Sequence, residues 1–399
     1  MSFMNLWVTL RQQFHQGKMI AYDVCVFATG SRAAIPPYIR PDDLDTTQGL
    51  FVYRTIDDLE RMMIFATQKR VKKVAVVGGG LLGLEAAKAI SELESVPQVS
   101  IIERNKWARI CNLCFWDLTT LTPLCLKILC RQLDEEGGRM VLEQVRAFGI
   151  EVLCEVQVKS ITVSDKGEPV ATGLQLDNLQ HFSCDMIVFA IGIRPRDEVA
   201  KTSGIEVDSR GGIVVGDDLR TSAQNVYGIG ECASWHGKSY GFIAPCIEMA
   251  DVLAYNLTKE SSDPLRSMTT PDTSTKLKLV GVNVASFGDY LADKKDSDTV
   301  DIPGHTRKGG LTPVRALTYH DPFGPVYKKY IFSGDGKYLL GGMMVGDVND
   351  YAKLLAIVKK RVSDYQIAAC FYRNKILVET FGYCAQSINN WDSSQRRRI

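Results

Sequence analysis

The sequence of 399 residues lacks an excess of charge of either sign. It contains 47 Lys and Arg residues and 46 Asp and Glu residues, so its net charge is +1. Proteins that bind nucleic acid or anionic membranes through their electrostatic field carry a strongly basic patch or stripe. The balance therefore predicts no nucleic-acid partner and no membrane partner, and favours small-molecule ligands.

Targeting and membrane signals are also missing. Residues 1–19 contain no basic stretch ahead of an apolar core and no small-residue cleavage site, which predicts a cytoplasmic protein without a secretory signal. A spanning helix needs ~20 consecutive apolar residues. The nearest candidate, residues 110–130, is interrupted by Asp117, Pro123 and Lys127, so we expect no membrane span.

Cysteine is plentiful, but its arrangement argues against a disulfide framework. The eleven cysteines are scattered through a long chain, whereas disulfide scaffolds are short and secreted. We expect five of them to be core thiols: Cys25, Cys154, Cys184, Cys232 and Cys246. The few histidines are isolated from one another, and we expect them to be surface or hydrogen-bonded side chains.

The apolar pattern predicts an α/β protein. Strand 74–77, helix 81–93 and strand 99–103 form a βαβ unit, which implies a buried parallel sheet. Further segments follow from the same criteria: a short buried strand ending at a turn within 22–31, a buried strand at 186–191, an alternating strand at 151–163, and a helix at 139–148 ended by Gly149.

The pattern changes near residue 275. Alternating strands follow, and SGDG at residues 333–336 supplies a hairpin turn. These features predict a separate α+β domain over 275–360, joined through a linker at 259–275.

A glycine motif follows the strand at 74–77. Gly78, Gly80 and Gly83 match G-x-G-x-x-G. In this motif the first glycine permits a tight turn, the second lets the backbone approach a pyrophosphate, and the third lets the helix pack on the strand. Glu103 ends the next strand, where a carboxylate accepts bonds from a ribose 2′-OH. Glu103 favours NADH, but the adjacent Arg104 is able to accommodate a 2′-phosphate, so the choice between NADH and NADPH stays open.

A second polar turn is predicted within TSAQNVYGIGECASW, residues 221–235. A strand from Val226 to Ile229 delivers Gly230 and Glu231 to this turn. Glu231 is placed either to accept hydrogen bonds from a polyol, such as the ribityl chain of a flavin, or to cap a helix that starts near residue 242. The pattern does not separate these two interpretations.

Four ordered motifs now point to a family. ATGS (28–31), GGGLLG (78–83), AIGIRP (190–195) and GIGE (228–231) resemble the FAD-dependent pyridine-nucleotide reductase family in sequence and in order. The stretches GIGECASWHGKSYGFIAP, KLKLVGVNVASFGD and DPFGPVYKKYIFSGDGKYLLGGMMVGD more narrowly resemble the flavoprotein part of the assimilatory NAD(P)H nitrite reductases.

The resemblance implies an enzyme that passes a hydride from NAD(P)H to FAD and on to an electron-acceptor protein or domain. It implies an FAD/NAD(P)-binding, Rossmann-like two-domain core, with an incomplete FAD half and a smaller C-terminal α+β domain. NAD(P)H would be held by Gly78, Gly80, Gly83 and Glu103. FAD would be held by Thr29, Gly30, Gly192, Gly230 and Glu231. No catalytic acid or nucleophile is expected, since the flavin supplies the chemistry.

The resemblance also implies a division of the chain. The expected parts are a remnant of the FAD-binding domain (1–60), an NAD(P)-binding Rossmann domain (61–185) with an insertion at 109–130, a second FAD-binding part (186–258), the α+β domain (275–360) and a divergent tail (361–399).

The sequence departs from the family in three places, and the first departure, an absent glycine motif, favours a second interpretation. No G-x-G-x-x-G precedes Gly78, where the family has one for FAD. Only Cys370 and Cys384 lie in the tail, too few for an iron–sulfur centre. In this interpretation the chain is a non-catalytic remnant that binds NAD(P)H alone.

The third departure is the insertion at 109–130. Cys111-x2-Cys114 and Cys125-x4-Cys130 suggest a zinc site, but the second spacing is wrong and the segment has no histidine. We expect no metal, and favour a translated intron or a gene-model error, in either case a segment that packs poorly.

Overall fold

A computed structural model describes residues 21–104, 132–164, 167–279, 281–294 and 314–361. The predicted insertion at 109–130, with its four cysteines, and residues 362–399 of the predicted tail lie outside this part of the chain. The described residues form two compact units. The first contains residues up to Arg104 and residues 149–273, and the second contains residues 132–148 and 274–361.

The strands are β1 Cys25–Phe27, β2 Ser31–Ala33, β3 Leu50–Val52, β4 Lys73–Val77, β5 Gln98–Glu103, β6 Glu151–Cys154, β7 Val158–Ser164, β8 Val170–Leu176, β9 His181–Ser183, β10 Met186–Phe189, β11 Ile193–Pro195, β12 Ile213–Val215, β13 Val226–Gly228, β14 Ala233–Trp235, β15 Thr275–Leu279, β16 Val282–Gly288, β17 Arg315–His320, β18 Tyr327–Phe332 and β19 Leu339–Val345. The helices are α1 Asp43–Thr46, α2 Ile56–Ala66, α3 Leu81–Ser91, α4 Glu135–Ala147, α5 Glu198–Thr202, α6 Ile243–Thr258 and α7 Tyr351–Lys360, with short 3₁₀ turns at Gly230–Cys232 and Ala292–Lys294.

A five-stranded parallel sheet organises the first unit. Its order is β3-β10-β4-β5-β6, and α3 connects the parallel neighbours β4 and β5. The runs KVAVV and VSIIE are buried almost throughout, as parallel strands covered on both faces should be. The predicted βαβ unit is therefore confirmed.

Smaller sheets complete the first unit. Strands β7, β8 and β9 form an antiparallel sheet, while β1–β13, β2–β11 and β12–β14 form two-stranded pairs. In β1–β13, which is parallel, Phe27 lies opposite Gly228. The pairing of β1 with β13 brings residues 25–27 and 226–228 together, although about two hundred residues separate them.

Two strand predictions in this unit are wrong. Residues 151–163 form two strands, because Glu155 adopts a left-handed φ of 59° between β6 and β7. Residues 22–31 contain the predicted short strand, but the strand is not buried as predicted. Strand β1 covers three residues, and Val24 and Val26 are 42% and 40% exposed. Among the described strands β1 pairs with β13 alone, so its apolar residues have a partner strand on one edge.

The second unit contains an antiparallel sheet of order β15-β16-β19-β18-β17. The predicted hairpin at SGDG is confirmed, since β18 and β19 flank it and Gly336 has a φ of 74°. Helix α7 packs on this sheet through a core that includes Phe287, Tyr330 and Leu354.

Helix α4 belongs to the second compact unit, although the predicted Rossmann domain over 61–185 includes it. The Asp134 side chain accepts a hydrogen bond from Gly137 N and caps α4. The same carboxylate bonds Lys329 of β18. Gly149 follows the helix with a φ of 81°, so its predicted role as the helix terminator is confirmed. The predicted domain boundaries remain predictions.

Within the described residues, no helix is both long and apolar enough to cross a membrane.

Candidate functional site

The glycine turn after β4 is held by backbone contacts that exclude side chains. Gly78 has a φ of 114°, and a Cβ there would lie 2.5 Å from the carbonyl oxygen of Ala190. A Cβ on Gly83 would lie 1.9 Å from the carbonyl oxygen of Gly78. Helix α3 therefore packs directly on the turn, and the turn packs directly on the chain that follows β10.

Gly80 differs from the other two glycines of the motif, Gly78 and Gly83. It is the N-cap residue of α3, with a φ of −80° that any residue can adopt. A Cβ at Gly80 would meet no atom within 4 Å. Open space therefore lies at the N-terminus of an eleven-residue helix, where unpaired N–H groups and the helix dipole favour an anion.

Glu103 reaches this turn from the end of β5. Its side chain is buried, and Oε2 accepts a hydrogen bond from Gly79 N at 2.7 Å. The predicted ribose acceptor thus also supports the glycine turn. Arg104, the alternative contact for a 2′-phosphate, is exposed.

A second polar cluster surrounds Glu231, at the 3₁₀ turn that follows β13. Ser31 Oγ donates to Glu231 Oε2 at 2.6 Å, and Arg54 forms an ion pair with the same oxygen. Among the described residues, both hydrogen bonds to the Glu231 side chain come from outside α6, the helix that the capping interpretation assigned to it.

Two of the predicted flavin residues, Gly30 and Gly192, flank opposite ends of the β2–β11 pair, which contains Ser31 of this cluster. Gly30 and Gly192 have φ values of 68° and 117°, and a Cβ on either would meet no atom within 4 Å. Gly30 O accepts from Arg196 N at 2.9 Å, and Gly192 O accepts from Ala34 N at 2.9 Å. The antiparallel pair β2–β11 therefore holds both glycines beside open space.

Thr29 and Gly230 complete the predicted set. Thr29 Oγ1 donates to the carbonyl oxygen of Arg196 at 2.5 Å, which ties the turn before β2 to the end of β11. Gly230 has a φ of 76°, and its N–H points to Met249 Sδ at 3.3 Å. Gly230 therefore restrains the backbone just before Glu231, and Thr29 restrains the turn before Ser31, which bonds Glu231.

Residues 190–195 connect the two clusters. Ala190 contacts the Gly78 turn, Gly192 follows it, and β11 then pairs with β2, where Pro195 lies opposite Ser31 of the Glu231 cluster. The glycine turn and the Glu231 cluster therefore lie at the two ends of one six-residue segment.

The sequence analysis missed Ser31 and Arg54 as members of the site. Ser31 lies within the ATGS motif, and its hydroxyl was an available signal. Arg54 lies just beyond the carboxyl end of β3, an edge where parallel sheets place their ligand contacts. Predicting residues 50–52 as a strand would have identified it.

The five cysteines in the described part of the chain differ in burial. Cys154, Cys184 and Cys232 are buried, as predicted, whereas Cys25 and Cys246 are only half-buried. Burial raises the pKa of Cys184 to about 12, and burial also raises the pKa values of Cys25 and Cys246. No group of three or more potential metal ligands occurs among the residues that the structure describes.

Comparisons with known proteins identify the family of this chain. Residues 7–250 match the protein family described as pyridine nucleotide-disulphide oxidoreductase. A nitrite reductase [NAD(P)H] of Emericella nidulans is 47% identical over 356 residues, which cover 86% of this chain and 30% of that protein. The chain spans about a third of the length of the curated nitrite reductases it matches.

Two solved structures share the fold. A NAD-dependent persulfide reductase from A. fulgidus has a TM-score of 0.65 at 20% identity, covering 87% of this chain and 58% of its own. The covalent putidaredoxin reductase–putidaredoxin complex has a TM-score of 0.65 at 18% identity, covering 88% of this chain and 73% of its own.

Proposed function

This chain belongs to the pyridine nucleotide-disulphide oxidoreductase family, and from that premise we propose that it is an FAD-dependent NAD(P)H oxidoreductase module. NAD(P)H binds at the turn formed by Gly78, Gly80 and Gly83, and FAD binds beside Glu231. The module corresponds to the flavoprotein part of a nitrite reductase, as the similarity to the Emericella nidulans protein suggests.

The open space at Gly80 carries the proposal. Gly78 and Gly83 are explained by packing, because a side chain on either would collide with backbone. Gly80 has no such explanation, since neither its φ nor its surroundings require glycine. Free access to the N-terminus of α3 is the property that a pyrophosphate needs.

The residues around Glu231 fit the polyol end of a flavin. Glu231 is a half-buried acceptor, its partner Ser31 directly follows Gly30, and a Cβ on Gly30 would meet no atom within 4 Å. When bound, FAD would accept a hydride from NAD(P)H and deliver electrons to an acceptor. The protein residues would bind and orient the two cofactors at the ends of segment 190–195, with no catalytic acid or nucleophile required.

The partner and location follow from the same proposal. The electrons pass to a separate protein or domain, in line with the putidaredoxin partner named for one structural neighbour. The module works in the cytoplasm on small-molecule cofactors, without nucleic acid, membrane or bound metal. The open choice between NADH and NADPH rests on Glu103 and Arg104.

Nucleotide titration of the purified chain tests this function. We expect NADH binding, followed by fluorescence, to weaken at least tenfold, ~1.4 kcal/mol, in Gly80→Val, which fills the open space without backbone strain. Gly324→Val is the matched control, since its nearest contact would be the Asp321 side chain at 3.4 Å in the second unit. Equal NADH affinity in wild type and Gly80→Val would refute the nucleotide site.

A separate FAD titration, read by flavin absorbance, tests the second cofactor. Stoichiometric FAD binding by the wild-type chain is expected. NADH binding without FAD binding would instead support the interpretation of a non-catalytic remnant.

A further inference from the structure

Arg54 connects the two sheets that the proposed function assigns to the two cofactors. Its backbone follows β3 of the five-stranded sheet, whereas Glu231 follows β13 of the β1–β13 pair. The two residues form an ion pair although 177 positions separate them. The Arg54 and Glu231 side chains are 30% and 19% exposed, so the pair is largely shielded from water.

The sequence around Arg54 fixes its backbone. Thr55 is the N-cap of α2, and it forms a capping box with Asp58. Arg54 N donates to Asp58 Oδ2 at 3.2 Å, so the same carboxylate restrains the residue before the cap. The guanidinium therefore extends toward Glu231 from an anchored main chain.

The three side chains form a closed set of hydrogen bonds. Arg54 Nη2 donates to Ser31 Oγ at 3.1 Å and also to Glu231 Oε2, while Ser31 Oγ donates to that same oxygen at 2.6 Å. Both bonds come from Nη2, whose two N–H groups have fixed directions in the plane of the guanidinium fork, whereas the N–H groups of an ammonium rotate. Arg54 thus holds both the serine hydroxyl and one oxygen of the carboxylate.

The second oxygen of the Glu231 carboxylate, Oε1, has different surroundings from Oε2. Among the described residues, no hydrogen bond reaches Oε1. It lies on the side of Gly241, where a Cβ would be 4.0 Å away. A carboxylate oxygen has lone pairs available for an O–H donor. The network therefore occupies Oε2 and leaves Oε1 available for a ligand.

We propose that Arg54 is the positioning residue of the flavin site: it holds Oε2 of Glu231, with Ser31, so that Oε1 accepts a hydroxyl of the flavin polyol chain. This inference rests on the proposed function, because it takes FAD as the ligand beside Glu231. Arg54 acts through Glu231 and need not touch the reacting atoms.

Binding measurements on three variants test the role of Arg54. We expect Arg54→Gln to raise the FAD dissociation constant about tenfold or more, and Arg54→Lys to raise it less, because lysine keeps the charge but loses the fork. The NADH dissociation constant should change less than twofold in both. Arg61→Gln is the matched control, since Arg61 is an exposed arginine on α2, 3.4 Å from the exposed Asp45.

A double-mutant cycle separates positioning from a general structural role. If Arg54 acts through Glu231, Arg54→Gln should weaken FAD binding much less in a Glu231→Gln background than in the wild type. Additive effects, or equal loss of FAD and NADH affinity, would overturn the inference while leaving the proposed function intact. A wild-type chain that binds NADH but no FAD would overturn both this inference and the proposed function.

Discussion

The Cβ position of Gly83 lies 1.9 Å from the carbonyl oxygen of Gly78. No flexible side chain is available to move aside, because the obstructing atom belongs to the backbone of the turn. We expect Gly83→Ala to destabilise the first unit by ~1–3 kcal/mol or more, as overpacking does. The midpoint of urea unfolding should fall accordingly, and an unchanged midpoint would show that helix α3 does not pack this closely on the turn.

Glu103 should influence which nicotinamide cofactor binds. Its carboxylate repels a 2′-phosphate, while its Oε2 also supports Gly79 N. Glu103→Gln removes the charge but keeps an oxygen that can accept from Gly79. We expect the ratio of NADPH affinity to NADH affinity to rise about tenfold, with little change in stability. Both affinities are measured by fluorescence titration of the same preparations.

Glu103→Ala provides the comparison. This variant loses the acceptor as well as the charge, and an unsatisfied buried N–H costs ~1–3 kcal/mol. We expect a lower unfolding midpoint in Glu103→Ala than in Glu103→Gln. If the two variants are equally stable, the bond to Gly79 does not support the turn. If Glu103→Gln leaves the affinity ratio unchanged, Glu103 does not select the cofactor.

Local sequence signals predicted the features that depend on neighbouring residues. The βαβ unit, the helix end at Gly149 and the hairpin at SGDG each follow from spacing and turn chemistry within a few positions. Arg54 pairs with Glu231, which is 177 positions away. Helix α4 packs within the second unit with the help of a bond between Asp134 and Lys329, which are 195 positions apart. Periodicity contains no information about such pairs. The bond between Gly79 and Glu103 is intermediate, because the motif predicted their proximity but not that the carboxylate would support the turn.

Lys329 should be important for the stability of the second unit. Its ammonium is buried, 2.9 Å from Asp134 Oδ2 and 2.7 Å from Asp293 Oδ2. Removing one partner of a buried ion pair leaves an uncompensated charge and typically costs ~3–5 kcal/mol. We expect Lys329→Met to lower the unfolding free energy by that amount.

The control for this measurement is Lys337→Met. Lys337 is 43% exposed and lies 3.5 Å from Asp335, so its ion pair should contribute less than ~1 kcal/mol. Similar losses in the two variants would mean that the Lys329 ion pairs are no more important than an exposed one.

The same cluster should make stability depend on pH. Burial pushes the pKa of Asp134 upward, but hydrogen bonds from Lys329, Tyr327 and Gly137 outweigh burial and hold the pKa below its ordinary value. A carboxyl with a lowered folded-state pKa contributes stability that is present above its unfolded pKa of ~3.9 and is lost as pH falls through the folded value. We therefore expect the free energy of unfolding to fall more steeply below pH ~4 in the wild type than in Asp134→Asn, which retains a side chain able to cap α4. Denaturant unfolding from pH 3 to pH 7 measures both curves, and parallel curves would contradict the assignment of this acid sensitivity to Asp134.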